Sequence, residues 1–120
     1  MPFDESLNID KQYFQITYSG DVLLKDRQQA KSKCIELNTT FGVKHFIVDS
    51  RAIQVDMDGV AFTKFAYSFS ESEFLPGTKF ALLFDGDNTF INFAKMIITV
   101  KGINMRGFPD KEQALAWFDE

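Results

Sequence analysis

Two aspartates stand one residue apart in the stretch VDMDGVAF, residues 55–62, with a glycine directly behind the second. Asp56 and Asp58 at that spacing suit phosphoryl chemistry through a covalent aspartyl-phosphate. The first carboxylate would attack phosphorus, and the second would act as general acid and then as general base. Such chemistry also needs a magnesium ion, and Asp85 and Asp87 in the stretch FDGDN offer a second acidic pair for one. Asp49, behind the apolar run HFIV, is a fifth carboxylate. In an open α/β sheet all five would fall near the carboxyl ends of strands, where ligands bind.

The surrounding elements argue for a plainer role. D-x-D-G-V resembles the signature of haloacid-dehalogenase-type phosphatases, where the first Asp ends a central strand near the start of the domain. Here the residues before Asp56, Arg51-Ala52-Ile53-Gln54-Val55, are too polar for a central strand, and the strand proper is expected to end near Asp49. A chain of 120 residues also has no room for the remaining phosphate-binding parts. The pair is therefore expected to open a helix. Carboxylates there accept hydrogen bonds from unpaired amides and meet the positive end of the helix dipole, worth ~0.5–2 kcal/mol. Gly59 is tolerated within the first turn. No catalytic residue, bound metal or other cofactor is expected.

The other reactive side chains lead to the same expectation. His45 is the sole histidine, and no serine or cysteine stands where it would be activated. A hydrogen-bonded structural role is expected for it. Cys34 is the sole cysteine, so an internal disulfide is ruled out, and its place on an apolar helical stripe makes it a small core residue. The formal net charge of -4, with Lys and Arg scattered, argues against nucleic acid as a partner. No apolar run approaches the ~20 residues of a membrane helix. The acidic start MPFDESLNID lacks the order of a signal peptide, so a cytoplasmic location is expected.

The periodicity alternates between strand and helix. Residues 5–18 read as two strands, with Phe14, Ile16 and Tyr18 alternating in the second and a turn at Asp10-Lys11. Leu23, Ala30, Cys34, Leu37 and Phe41 then fall on one helical stripe, which Gly42 stops. The unbroken apolar runs at 45–48 and 80–84 suit central parallel strands covered on both faces. Helices are expected over 58–74, ended by Pro76-Gly77, and over 88–101. Ile103 to Phe108 is the last strand. Asp110 then caps a helix in which Gln113 reaches back to the cap residue's amide. The order β-β-α-β-α-β-α-β-α predicts one domain over residues 1–120. It contains a single mixed, mostly parallel five-stranded sheet and four helices.

This order resembles the SpoIIAA-like branch of the STAS superfamily, the sulfate transporter and anti-sigma-factor antagonist type domain. The segments VKHFIVDS, TKFALLFDGD and FPDKEQALAWF carry the resemblance, which extends from about Leu7 to Phe118. It implies a superhelix of β-α turns, a fold shared in general form with CRAL-TRIO lipid-binding domains. It also implies a non-enzymatic module that binds a protein partner and is switched by phosphorylation of a serine in a D-S-S-G-L-like segment. Asp56-Met57-Asp58-Gly59-Val60 occupies that segment. Met57 and Asp58 replace the two serines, so the phosphorylatable hydroxyl is missing.

Three readings result. The first is a STAS-type regulatory or protein-interaction module without the phosphorylation switch, docking through the start of the 58–74 helix. The second is a small carrier with an apolar ligand or lipid between the 58–74 and 88–101 helices. The third is an aspartate-based phosphohydrolase. Phe occurs at 14 of 120 positions, and Phe62, Phe65 and Phe93 lie on those two helices, whose apolar surface exceeds one narrow core face. That surplus predicts a homodimer. Asp56, Asp58, Gly59, Asp85, Asp87, Phe62, Phe65 and Phe93 are the candidate contact residues for partner or ligand.

Overall fold

Alternation in residues 13–18 and the apolar runs near 46–48 and 80–83 build the middle of a five-stranded sheet. The computed structural model of the chain describes residues 3–9, 12–55, 59–84 and 104–120. Strand β1 (Phe3–Asn8) runs antiparallel to β2 (Tyr13–Asp21). Strands β3 (His45–Val55), β4 (Lys79–Leu83) and β5 (Asn104–Phe108) follow in parallel, so the order across the sheet is the order along the chain. Three helices lie among the described residues: α1 (Leu24–Phe41), α2 (Gly59–Ser70) and α3 (Lys111–Phe118). The helix expected over 88–101, with Phe93, and the turn at Asp10-Lys11 lie outside the described residues.

The period of two sorts side chains between the faces. Phe14, Ile16, Tyr18, Phe46 and Phe80 join Ala30, Cys34 and Leu37 of α1 and Phe69 of α2 in one core. Tyr13, Ile47, Ala81, Leu83 and Phe108 meet Ala114, Trp117 and Phe118 of α3 in another. The middle strands are thus covered on both sides, which is why their sequences show no alternation. The phenylalanine excess is largely spent here. Phe80 touches Phe46, Phe69 and Phe74 at ring centroid distances of 4.9, 4.9 and 5.1 Å.

Several boundaries differ from the sequence reading. Helix α2 ends at Ser70, not 74, yet Phe74 still enters the core from the following loop. Strand β2 continues through Ser19-Gly20-Asp21. Leu7 and Ile9 point to solvent, and Phe3 is the buried residue of β1. Of the α1 stripe, Ala30, Cys34 and Leu37 are buried, while Leu23 and Phe41 are exposed. His45 stacks on Phe118, with centroids 4.5 Å apart. Burial, and then Lys79, push its pKa down.

Helix ends follow capping rules. Asp26 accepts a 2.8 Å hydrogen bond from the amide of Leu23 at the start of α1. Gly42, at φ 71°, closes α1 in the left-handed region, where a side chain would be strained. Asp110 caps α3 by accepting from the Gln113 amide at 2.9 Å. The Gln113 side chain donates to the Asp110 carboxylate at 3.2 Å, and does not reach the cap residue's amide. Asp110→Ala is expected to destabilise the protein by about 1 kcal/mol, and Asp110→Asn by less. Thermal melts of the two variants check this, and equal losses would remove the cap from the account.

Candidate functional site

The carboxyl ends of β2, β3 and β4 form one edge of the sheet, and α2 begins there. Pairing of β3 with β4 stops at Asp49 opposite Leu83. Pairing with β2 continues, with Ser19 opposite Ala52, Gly20 opposite Ile53 and Asp21 opposite Val55. Among the described residues the end of β3 is therefore paired on one side alone, with β2. This corrects the expectation that the strand stops near Asp49. A strand paired on one side carries exposed polar residues such as Arg51 at little cost. At ~3.3 Å per residue, the six residues after Asp49, up to Val55, extend the edge by about 20 Å.

The register slips twice along the β2–β3 pairing. Two steps on β2, Thr17 to Ser19, face three on β3, Asp49 to Ala52, and one step from Gly20 to Asp21 faces two. Each extra residue leaves backbone groups outside the ladder and bends the strand. Asp49 secures the first slip. Its Oδ1 accepts the Arg51 backbone amide at 3.1 Å and Arg51 Nε at 2.9 Å, and its Oδ2 accepts Arg51 Nη2 at 2.9 Å. Burial by itself would raise the Asp49 pKa. The Arg51 hydrogen bonds, with the charges of Arg51 and Lys111, outweigh it and hold the carboxyl below the usual carboxylate range.

A carboxylate engaged in this way is a poor base and a poor metal ligand. Sequence reasoning missed Arg51 as its partner. The available signal was the spacing of two residues, which puts Asp49 and Arg51 on one strand face.

The Asp49 contribution has a defined pH window. Its folded pKa is depressed, so the stabilisation is present above the unfolded value of ~3.9 and is lost as pH falls through the folded value. Asp49→Asn is expected to cost about 1 kcal/mol at neutral pH, since the Arg51 side chain is 36% exposed and water screens the pair. That difference should shrink on acidification toward pH ~3. Denaturant melts across the pH range test it, and a difference independent of pH would show that the pair's charge contributes nothing.

Of the eight candidate contact residues, the structure places Gly59 as the first residue of α2. Phe65 is half-buried on the inner side of α2, 5.9 Å from the Phe69 ring, and lines a cavity against the sheet. Phe62 lies in α2, with its side chain outside the described part. Asp56, Asp58, Asp85, Asp87 and Phe93 lie outside the described residues. Among the described residues, no cluster of three or more His, Cys, Asp or Glu side chains gathers. No described helix is long and apolar enough to cross a membrane.

The outer side of α2 is unusual. Val60, Lys64 and Tyr67 recur at helical spacing and face solvent, with Val60 69% and Tyr67 50% exposed. Inward, Ala66 and Phe69 are buried. The helix thus carries apolar side chains on both sides, although one side suffices to attach it to the sheet.

The successive parallel β-α units, the antiparallel first strand and the α2 start at the strand ends define the SpoIIAA-like fold found in STAS domains. Comparison with solved structures gives the same assignment. An uncharacterized protein of the DUF3478 family with a SpoIIAA-like fold, from Shewanella loihica PV-4, superposes with a TM-score of 0.58 at 15% identity. The match covers 97% of this chain and 91% of that one. An anti-sigma factor antagonist from Mycobacterium paratuberculosis superposes with a TM-score of 0.65 at 13% identity, covering 98% of this chain and 95% of that one. No protein-family model matches the chain, and no curated protein is similar to it at the sequence level.

Proposed function

We propose that this chain is a non-enzymatic regulatory module of the STAS type, which docks a protein partner on the edge where the β2–β3 pairing ends and α2 begins. The observation that carries the reading is the exposed stripe of α2, Val60, Lys64 and Tyr67, beside that edge. Apolar surface held outward on a helix that is already anchored inward is a common mark of an interface. The fold shared with an anti-sigma factor antagonist supports a protein as the partner. Met57 and Asp58 stand where related antagonists carry serines, so the module is not switched by phosphorylation there. On this reading the two aspartates are not a nucleophile and acid pair.

A photoreactive residue at Val60 tests the reading in cells of the native host. It is expected to give a discrete product with one protein. The same residue at Ile9, which is 78% exposed near the β1–β2 turn, is expected to give none. Equal labelling from both positions would discard the edge as a docking face. A product of twice the 13.7 kDa chain mass identifies a second copy as the partner. Light scattering is expected to show that dimer at micromolar concentration, and a mass of 13.7 kDa would refute self-association. Purified protein is expected to lack magnesium-dependent phosphatase activity. Activity abolished by Asp56→Asn in a folded protein would revive the third reading.

A further inference from the structure

A cavity of about 60 Å³ lies under α1 and α2, against the sheet, on the inner side of the stripe described above. Its walls are chiefly apolar: Phe65 and Phe69 from α2, Phe80 from β4 and Met105 from β5. One water needs roughly 10–15 Å³ of such space, so there is room for about four to six water-sized groups in a row. Water would find few partners along these walls, whereas a short hydrocarbon chain fits them.

The polar groups gather on one side. Arg27 and Lys31, one turn apart on α1, both line the cavity, and Ser50 of β3 lines it as well. Arg27 is buried, with its guanidinium 4.8 Å above the Tyr18 ring. Lys31 is half-buried and donates to the Ser68 hydroxyl at 3.2 Å, a neutral partner that uses one of its three donors. Among the described residues no carboxylate lines the cavity or pairs with Lys31. Two cations at one end of an apolar slot complement a ligand with one negative charge and a short apolar tail.

We propose that this cavity is a binding site for a short-chain monocarboxylate. The carboxylate sits between Lys31 and Arg27, and a tail of about four or five carbons lies against Phe65, Phe69 and Phe80. A dianionic phosphate fits less well, because the remaining walls offer it little but carbon and its desolvation would go uncompensated. The site is independent of the docking stripe on the opposite side of α2.

The test is an NMR titration of the isotope-labelled full chain with pentanoate, 1-pentanol and pentylammonium at millimolar concentrations. Pentanoate is expected to give saturable shifts at the amides of Ala30, Cys34 and Phe69. Pentanol, which cannot form the charge-assisted hydrogen bond, should bind about tenfold more weakly, and pentylammonium should not bind. Lys31→Gln should weaken pentanoate about tenfold in a protein whose spectrum is otherwise unchanged, and Lys31→Arg should retain it. Ala30→Leu fills the cavity and should abolish binding; if that variant does not fold, Lys31→Gln still decides. Equal affinity for pentanoate and pentanol, indifference to Lys31→Gln, or shifts spread without saturation over the surface would each overturn the proposal.

Discussion

Phe80→Ala is expected to cost about 3–5 kcal/mol and to lower the melting temperature by about 10–20 °C. Phe80 is fully buried in β4 and stacks at 13° on Phe46 of the neighbouring strand. The rings of Phe69 and Phe74 meet it edge-on at 78°. Truncation removes the transfer energy of one ring and leaves a hole at the junction of two strands, α2 and the loop behind it. The neighbours are themselves rings in close contact, so they relax poorly into the space. Total stability of a domain this size is ~5–15 kcal/mol, so the loss is a large fraction of it. Phe41→Ala removes the same side chain from an exposed site and should stay within about 0.5 kcal/mol of wild type. Similar losses at the two positions would mean that the ring cluster is not the core.

Asn38→Leu is the second large effect, with an expected loss of about 2–5 kcal/mol despite the similar volume. Asn38 is fully buried near the end of α1 and joins three segments. Its Nδ2 donates to the Val43 carbonyl at 2.8 Å and to the Thr78 hydroxyl at 2.9 Å. Its Oδ1 accepts the Leu75 amide at 2.9 Å. Leucine would strand the Val43 carbonyl and the Leu75 amide without water. The Thr78 hydroxyl would keep its bond to the Leu75 carbonyl, so part of the turn before β4 survives. Asn38→Asp preserves the acceptor but sets an anion against a carbonyl oxygen. Its loss should therefore be greater at pH 7 than near pH 4, where protonation restores a donor. Denaturant melts measure both variants, and hydrogen exchange at the Leu75 amide reports the local bond. A loss below about 0.5 kcal/mol for Asn38→Leu would show that the clamp does not stabilise the fold.

Lys79 forms a related tie that no pattern announced. Its ammonium donates to the carbonyls of Trp117 and Glu120 at 3.0 and 3.1 Å, and lies 5.1 Å from the Trp117 ring centroid. A cation on β4 thereby satisfies the last turn of α3 and supports its dipole. A lysine at the head of an apolar strand reads from sequence as a solvated charge. Only the adjacency of β4 and α3 gives it carbonyls to bond.

Gly107 shows the same dependence. A Cβ at that position of β5 would run into the ring of Phe84, which crosses the backbone there. The glycine is a packing requirement set by a residue 23 positions away in sequence, and its own segment, NMRGF, contains no trace of it.

The sequence by itself determined the order of the described strands and helices, the parallel sheet with its antiparallel first strand, the two-sided burial of β3 and β4, and the capped last helix. Those features rest on local signals: periods of two and 3.6, unbroken apolar runs, Gly42 behind a helix and Asp110 ahead of one. Tertiary structure alone decided the length of β3, the Asp49–Arg51 clasp on its bulge, and the Asn38 and Lys79 ties. Polarity at Arg51 to Val55 misled because it measures how many neighbours a strand has, and a strand paired on one side alone tolerates polar residues at full strand geometry. Register slips between two strands appear only when both are paired.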